Sequence, residues 1–242
     1  MLKNRNLFFL LFLIFEITQA QYPTLRERVT NLPNFDQKTI HHGYYLGFNS
    51  YDFKFEYIEN YYSELGFKDI AVSNKTGFNV GIVTDLRINE FFNLRLEPGF
   101  YYSQRELMYP EFTEFTKESD RIREIKSNYI HVPLILKVST RRINNFRPFL
   151  LFGGSVDFNL SSNRKKTDDN FGNIFRTVSN HLNYELGLGF DFYLFYFKFS
   201  PSIRGVFSFE NEIIPDASPN SPWTSRISGM FTRGFVINFT FE

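Results

Sequence analysis

Leu182-Asn183-Tyr184-Glu185-Leu186-Gly187-Leu188-Gly189-Phe190-Asp191-Phe192 is the stretch that decides the fold. Large apolar side chains occupy every even position. Asn, Glu, Gly and Asp occupy the odd ones. Successive side chains of a β-strand point to opposite faces, so a period of two marks a strand with one greasy and one polar face. A helix would space its apolar residues three and four apart.

Working outward, the same alternation recurs on both sides. Upstream, Phe146, Pro148, Leu150, Phe152, Val156 and Phe158 oppose Arg147, Gly153, Ser155 and Asp157. Ile130, Val132, Leu134, Leu136 and Val138 oppose Tyr129, His131 and Lys137. Leu94, Leu96, Pro98, Phe100 and Tyr102 oppose Arg95, Glu97, Gly99 and Ser103. Phe78, Val80, Ile82, Leu86 and Ile88 oppose Asn79, Gly81, Asp85 and Arg87. Downstream, Phe195, Phe197, Phe199, Ile203, Phe207 and Phe209 alternate with Lys198, Ser200, Ser202 and Arg204. The chain ends on Phe235, Ile237, Phe239 and Phe241, alternating with Val236, Asn238, Thr240 and Glu242. Near the start, Tyr44, Leu46 and Phe48 alternate with Tyr45, Gly47 and Asn49. The apolar set then slips phase to Tyr51, Phe53, Phe55 and Tyr57, which predicts a bulge or strand end near Asn49 and Ser50.

These segments make eight strands. Connections two–three, four–five and six–seven are short, and those over residues 58–76, 106–127, 161–180 and 210–228 are long. An even strand number, with short turns at one end and long loops at the other, predicts an all-β fold: an eight-stranded antiparallel transmembrane β-barrel of the outer-membrane type. The rival is a soluble lipocalin-like barrel with its apolar face inward. Composition weighs against it. The chain of 242 residues carries 32 Phe, 14 Tyr and 1 Trp. The inside of an eight-stranded barrel has room only for side chains, and lipid has no such limit.

No window offers the ~18–20 apolar residues of a spanning helix. Net charge is +1, which gives no electrostatic case for nucleic acid. Cysteine is absent, which removes disulfides, thiolate metal sites and a cysteine nucleophile. On the polar, inward face, Arg87, Arg95, Lys137, Arg147, Lys198 and Arg204 nearly balance Asp85, Glu97, Asp157, Glu185 and Asp191. Buried charges are costly unless paired. The balance therefore predicts an ion-pair plug in the periplasmic half of the lumen, in preference to a selectivity ring.

His41, His42, His131 and His181 are scattered, and structural or surface roles are expected of them. No G-x-S-x-G, H-E-x-x-H or P-loop occurs. The reading therefore assigns no catalytic, cofactor-binding or metal residue, and no small-molecule substrate. Gly153-Gly154, Gly187 and Gly189 read as strand glycines that relieve crowding, and Arg164-Lys165-Lys166 as a solvated loop. Residues 106–126 combine many charges with Tyr109, Phe112 and Phe115. They suit a partner surface or a loop folded over the barrel mouth.

At the N-terminus, Lys3 and Arg5 precede the apolar run 7–15 and Thr18-Gln19-Ala20. Residues 1–20 read as a secretory signal peptide cleaved before Gln21. Residues 21–39, with Pro23 and Pro33, read as an extended periplasmic tail, either a loose terminus or a docking segment, and 40–242 as the barrel.

Asn31-Leu32-Pro33-Asn34-Phe35-Asp36 and His42-Gly43-Tyr44-Tyr45-Leu46-Gly47-Phe48-Asn49, followed by Tyr51-Asp52-Phe53-Lys54, resemble the opening of PorT-family outer-membrane proteins. Leu94-Arg95-Leu96-Glu97-Pro98-Gly99-Phe100, Tyr129-Ile130-His131-Val132-Pro133-Leu134, Arg147-Pro148-Phe149 and Gly153-Gly154 are similar to later strands of that family. The resemblance implies a component of the type IX secretion system, which exports cargo across the outer membrane and serves gliding motility. The family brings no catalytic residues. The expected role is a non-enzymatic anchor and interaction platform whose partners are outer-membrane lipid, lipopolysaccharide and other secretion-system proteins. The alternatives are a generic adhesin or stress barrel, and a barrel lipid hydrolase or acyltransferase built on His131 or His181 with a nearby Ser.

Overall fold

The computed structural model describes residues 29–59, 61, 69–111, 114–115 and 117–242. The signal-peptide reading, residues 21–28 of the tail and Phe112 lie outside the described residues. The chain divides into Met1–Thr30 and Asn31–Glu242, and the second unit holds every described strand.

Nine strands run in chain order: β1 (Ile40–Tyr57), β2 (Ala71–Arg87), β3 (Phe92–Leu96), β4 (Gly99–Met108), β5 (Ile122–Ser139), β6 (Phe146–Asn159), β7 (Asn180–Tyr193), β8 (Lys198–Ser208) and β9 (Ile227–Phe241). β3 and β4 both pair with β2 on one side and β5 on the other. They form one stave broken at Glu97-Pro98, where proline has no N–H to give the ladder. β1 pairs with β2 and with β9, so eight antiparallel staves close into a ring and leave no open edge. Short turns at 88–91, 140–145 and 194–197 share one end, the turn end. Residues 58–70, 109–121, 160–179 and 209–226 share the other, the loop end.

The alternation translates directly into two surfaces. Leu182, Leu186 and Leu188 stand exposed on the outside of β7, while Asn183, Glu185 and Asp191 are buried inside. Ile82, Leu134, Leu150 and Ile203 repeat this on their own strands. Aromatic pairs frame the aliphatic band at both margins. Toward the turn end, Tyr44 stacks on Phe241 and Phe146 on Phe190, each at 5.3 Å between centroids. Toward the loop end, Phe78 stacks on Tyr102 (5.7 Å) and Tyr184 on Phe207 (5.1 Å). Three of these pairs are directly opposed across the ladder, where side chains interact most closely. An apolar band between two aromatic girdles is the outer surface of a membrane barrel, and the soluble, inward-greasy alternative falls.

Three expectations need correction. β1 has no bulge at Asn49 and Ser50, and its register with β9 is continuous from Tyr44 to Glu56. What changes there is polarity. Asn49, Tyr51 and Phe53 all point inward, and Asp52, Lys54 and Glu56 take over the outer face. The irregularity lies on the neighbouring strand, where the β2–β4 register shifts between Lys75 and Phe78. Second, the strands on this side run further than expected, with β2 starting at Ala71, β4 ending at Met108 and β5 starting at Ile122. These extensions carry no lipid-facing apolar alternation, so the pattern missed them. Third, Phe195 and Phe197 belong to the β7–β8 turn, because β8 begins at Lys198.

The barrel therefore inverts its polarity along its length. Beyond the loop-end girdle the outer face carries ion pairs, Lys54–Glu56 and Lys126–Glu124 at 3.1 Å and Arg233–Asp52 at 2.8 Å, with Lys75 on Glu106. Exposed pairs of this kind add little stability. The inner face there holds an apolar core instead, formed by Phe53, Leu107, Tyr109, Ile125, Ile227 and Met230 with loop residues Tyr61, Ile70, Phe175, Ile213 and Trp223. That half folds as a soluble domain does, and the other half folds as a membrane barrel.

Candidate functional site

The lumen is filled by a chain of charges handed from stave to stave. Arg95 Nε lies 3.0 Å from Glu97 and 3.6 Å from Asp85. Arg204 Nη1 bridges Glu97 (3.0 Å) and Glu185 (3.2 Å). Toward the turn end Lys137 Nζ donates to both Asp191 oxygens (2.7 and 2.8 Å), Ser200 also donates to Asp191 (2.6 Å), and Lys198 pairs with Glu242 (2.8 Å).

The histidines complete the chain. His131 sets Nδ1 2.5 Å from Asp157 and Nε2 3.0 Å from Glu185. His181 sets Nε2 3.3 Å from Asp157 and Nδ1 3.8 Å from Glu212. Each ring therefore sits between two carboxylates, with the closest contact at His131 Nδ1 on Asp157. Arg95, Arg105, Lys137, Lys198 and Arg204 face seven carboxylates with buried side chains: Asp85, Glu97, Asp157, Glu185, Asp191, Glu212 and Glu242. The two histidines are inserted between carboxylates of this surplus, Asp157, Glu185 and Glu212. Arg105, under the loop-end core, donates to Tyr129 (2.7 Å) and Thr232 (3.1 Å) and stacks on Phe53. Thr232 in turn donates to Glu212 through its N–H (2.7 Å) and its hydroxyl (2.9 Å).

Backbone room is part of the design. A Cβ at Gly187 would strike the Arg204 side chain and the Ile203 carbonyl. The glycine there lets Arg204 lie across the lumen between its two carboxylates.

The loop end is capped. Trp223 donates its indole N–H to the Asp120 carbonyl (2.8 Å), with the Arg123 guanidinium over its ring and Phe171 edge-on. Asn170 donates to both Asp216 oxygens (3.0 Å), and the Ser221 hydroxyl donates to the same carboxylate (2.5 Å). Glu114 takes Arg226 (2.6 Å). The described residues of 109–121 thus fold over the mouth, and burial pushes the Tyr109 phenol well above its usual range. Arg164, Lys165 and Lys166 are exposed, as expected of a solvated loop.

The turn end is closed differently. Residues 31–38 do not trail away as an extended tail. They cross the mouth with one 3-10 turn, Phe35–Gln37. Phe35 stacks on His41 (4.2 Å) and meets Tyr193 edge-on. Asp36 accepts from the Tyr193 hydroxyl (2.6 Å) and faces Arg142 (3.4 Å) and Arg147 (3.5 Å). Arg142 also reaches the backbone carbonyls of Asn31 and Leu32.

Of the charges expected in the plug, Arg95, Lys137, Lys198, Arg204, Asp85, Glu97, Asp157, Glu185 and Asp191 lie in it. Arg147 serves the N-terminal segment instead, and Arg87 lies half-buried at the turn-end mouth outside the chain of pairs. The plug is not confined to the turn-end half, because the two histidines carry it up to Glu212 below the cap. Glu212, Glu242, Arg105 and both histidines are members that sequence reasoning missed. His131 stands directly opposite Asp157 in the β5–β6 ladder, a register the short turn fixes, so that pair was within reach. His41 points inward and His42 outward, as adjacent strand residues must. Among the described residues no cluster of His, Asp and Glu is arranged to hold a metal ion.

Residues 19–213 match the family model described as outer membrane protein beta-barrel domain. No curated protein matches the chain. Similar solved structures include Ail, the attachment invasion locus protein of Yersinia pestis, in complex with the heparin analogue sucrose octasulfate. It shares 13% identity over 83% of this chain and 96% of that one, with a TM-score of 0.37. OprG from Pseudomonas aeruginosa is similar at 14% identity over 84% and 91%, TM-score 0.38. Neisserial surface protein A is similar at 9% identity over 81% and 95%, TM-score 0.38. All three are alike in outline only.

Proposed function

The chain belongs to the outer membrane protein beta-barrel domain family, and from that premise we propose that it is a non-enzymatic anchor and interaction platform of a protein secretion machine, of the type IX kind that the resemblance to PorT implies. The observation that carries the reading is the lumen: buried ion pairs fill it, one end is capped by loops and the other is crossed by residues 31–38. A filled barrel offers solutes no path, so its working surfaces are its ends. The motif Asn31-Leu32-Pro33-Asn34-Phe35-Asp36, which carries the resemblance most specifically, is also the segment that closes the turn end.

In this reading residues 1–20 are removed on export, and the turn end and both termini face the periplasm, as short turns do in this architecture. The apolar band meets outer-membrane lipid, and the charged outer belt meets the lipopolysaccharide headgroup layer. His131 and His181 lie against carboxylates; each is turned into the lumen and buried, away from any lipid substrate at the rim. No nucleic acid and no small-molecule substrate enters. Deleting the gene is expected to leave secreted cargo in the periplasm, and normal export in the deletion strain ends the proposal.

A further inference from the structure

The turn-end mouth holds a cavity of about 310 Å³ whose charges do not balance. Its wall carries Arg87, Arg141, Arg142 and Arg147 against only Asp36 and Glu90. Asp36 is already divided between Arg142 and Arg147. Glu90 faces Arg141 at 3.4 Å, with both side chains more than half exposed. The Arg87 guanidinium has no acceptor among the described residues. Four guanidinium groups thus meet two carboxylates around a space open to water. A guanidinium fork fits a carboxylate with two parallel hydrogen bonds.

The turns at this end are unusual in a second way. Beside the usual turn residues Asn89 and Asn144, the β2–β3 turn carries Phe91 and the β5–β6 turn Ile143 (61% exposed), and the β7–β8 turn carries Phe195 (75%) and Tyr196 (93%). Apolar tips beside a cationic cavity are the makings of a protein interface, in which buried anchors and a charged contact act together. The cavity opens inside the mouth, walled by the docked residues Pro33 and Asp36, and lipid lies outside the ring. A bilayer headgroup is therefore poorly placed to fill it.

We propose that the turn end is a docking surface for another protein, which inserts a carboxylate, from an acidic side chain or a chain terminus, between Arg87 and Arg141, with flanking apolar residues on the turn tips. The proposal rests on the reading of the barrel as a platform and names the chemistry of its partner.

The test is fluorescence anisotropy on the full chain in neutral detergent. The probe is a labelled twelve-residue peptide of Glu, Leu and Phe, about 40 Å long when extended, compared with its Glu-to-Gln counterpart. The acidic peptide is expected to bind, and the Gln peptide to bind at least about tenfold more weakly. Arg87→Ala with Arg141→Ala should remove that preference, Tyr196→Ser should weaken both peptides, and Arg233→Ala at the loop end should change nothing. Three results overturn the proposal: no binding of the acidic peptide, equal binding of both peptides, or undiminished binding by the double variant. Tighter binding of phosphatidylglycerol vesicles by the wild type than by the double variant, without peptide discrimination, would assign the arginines to a headgroup and also overturn it. Complementation separates the two levels of the reading. Full export restored by the double variant sinks this site and leaves the platform standing; unimpaired export in the deletion strain sinks the platform.

Discussion

Arg204→Ala is the substitution that probes the lumen most sharply. The guanidinium is about 1% exposed and lies 3.0 Å from Glu97 and 3.2 Å from Glu185. At an effective dielectric constant of about 20, each contact is worth ~5 kcal/mol before the cost of burial is subtracted. Breaking a buried pair by removing one partner typically costs ~3–5 kcal/mol, because the remaining charge stays buried. Glu97 keeps Arg95 at 3.0 Å and Glu185 keeps His131 at 3.0 Å, which places the expected loss near the lower bound, ~3 kcal/mol. The assay is a urea series read by the heat-modifiable gel mobility of the folded barrel. Glu185→Gln supplies the second arm of a double-mutant cycle. Because the two groups touch, the double variant should lose at least ~1 kcal/mol less than the sum of the single variants. A loss below ~0.5 kcal/mol for Arg204→Ala, or strict additivity in the cycle, would refute a lumen held together by coupled charges.

Leu186→Arg, at the middle of the outer apolar band, should cost ~2–4 kcal/mol in the same unfolding assay, whereas Gln104→Arg, on the charged outer belt, should cost ~1 kcal/mol or less; equal effects would contradict the polarity inversion. Trp223→Ala removes the indole bond to Asp120 and the packing under Arg123. Hydrogen exchange should rise in residues 160–179 and 209–226 by the equivalent of ~3 kcal/mol or more, with the membrane half of the strands unchanged. Phe35→Ala loses its stack on His41, a pair worth ~0.5–1.5 kcal/mol, and should make residues 31–38 sensitive to protease while moving the urea midpoint little.

The membrane half of the barrel was legible because its outer and inner faces differ so sharply. Leu182 to Phe192 alternates without a break, and so, but for the inward Ile135 and Val236, do Ile130 to Val138 and Phe235 to Phe241. The loop half was not legible in the same way. Tyr51 and Phe53 look like a continuation of Tyr44, Leu46 and Phe48, although the backbone turns them to the opposite side. Periodicity reports that two faces exist, not which one meets lipid, and at Ser50 the answer changes. The cap has no period at all. Trp223 meets Asp120 across 103 residues of sequence and Asn170 meets Asp216 across 46, contacts that only the closed ring brings together. The docked segment was legible as a motif but not as a plug, because Asp36 finds its partners on β6, β7 and the β5–β6 turn.

Conductance across a planar bilayer tests the closed anchor most directly. Seven carboxylates, five arginine and lysine side chains and two histidines share an interior with room only for side chains. Insertion would be verified independently by gel mobility of the recovered protein. The account predicts that inserted barrels leave the current at its baseline at either polarity, and steady ohmic steps that scale with the number of barrels would contradict it.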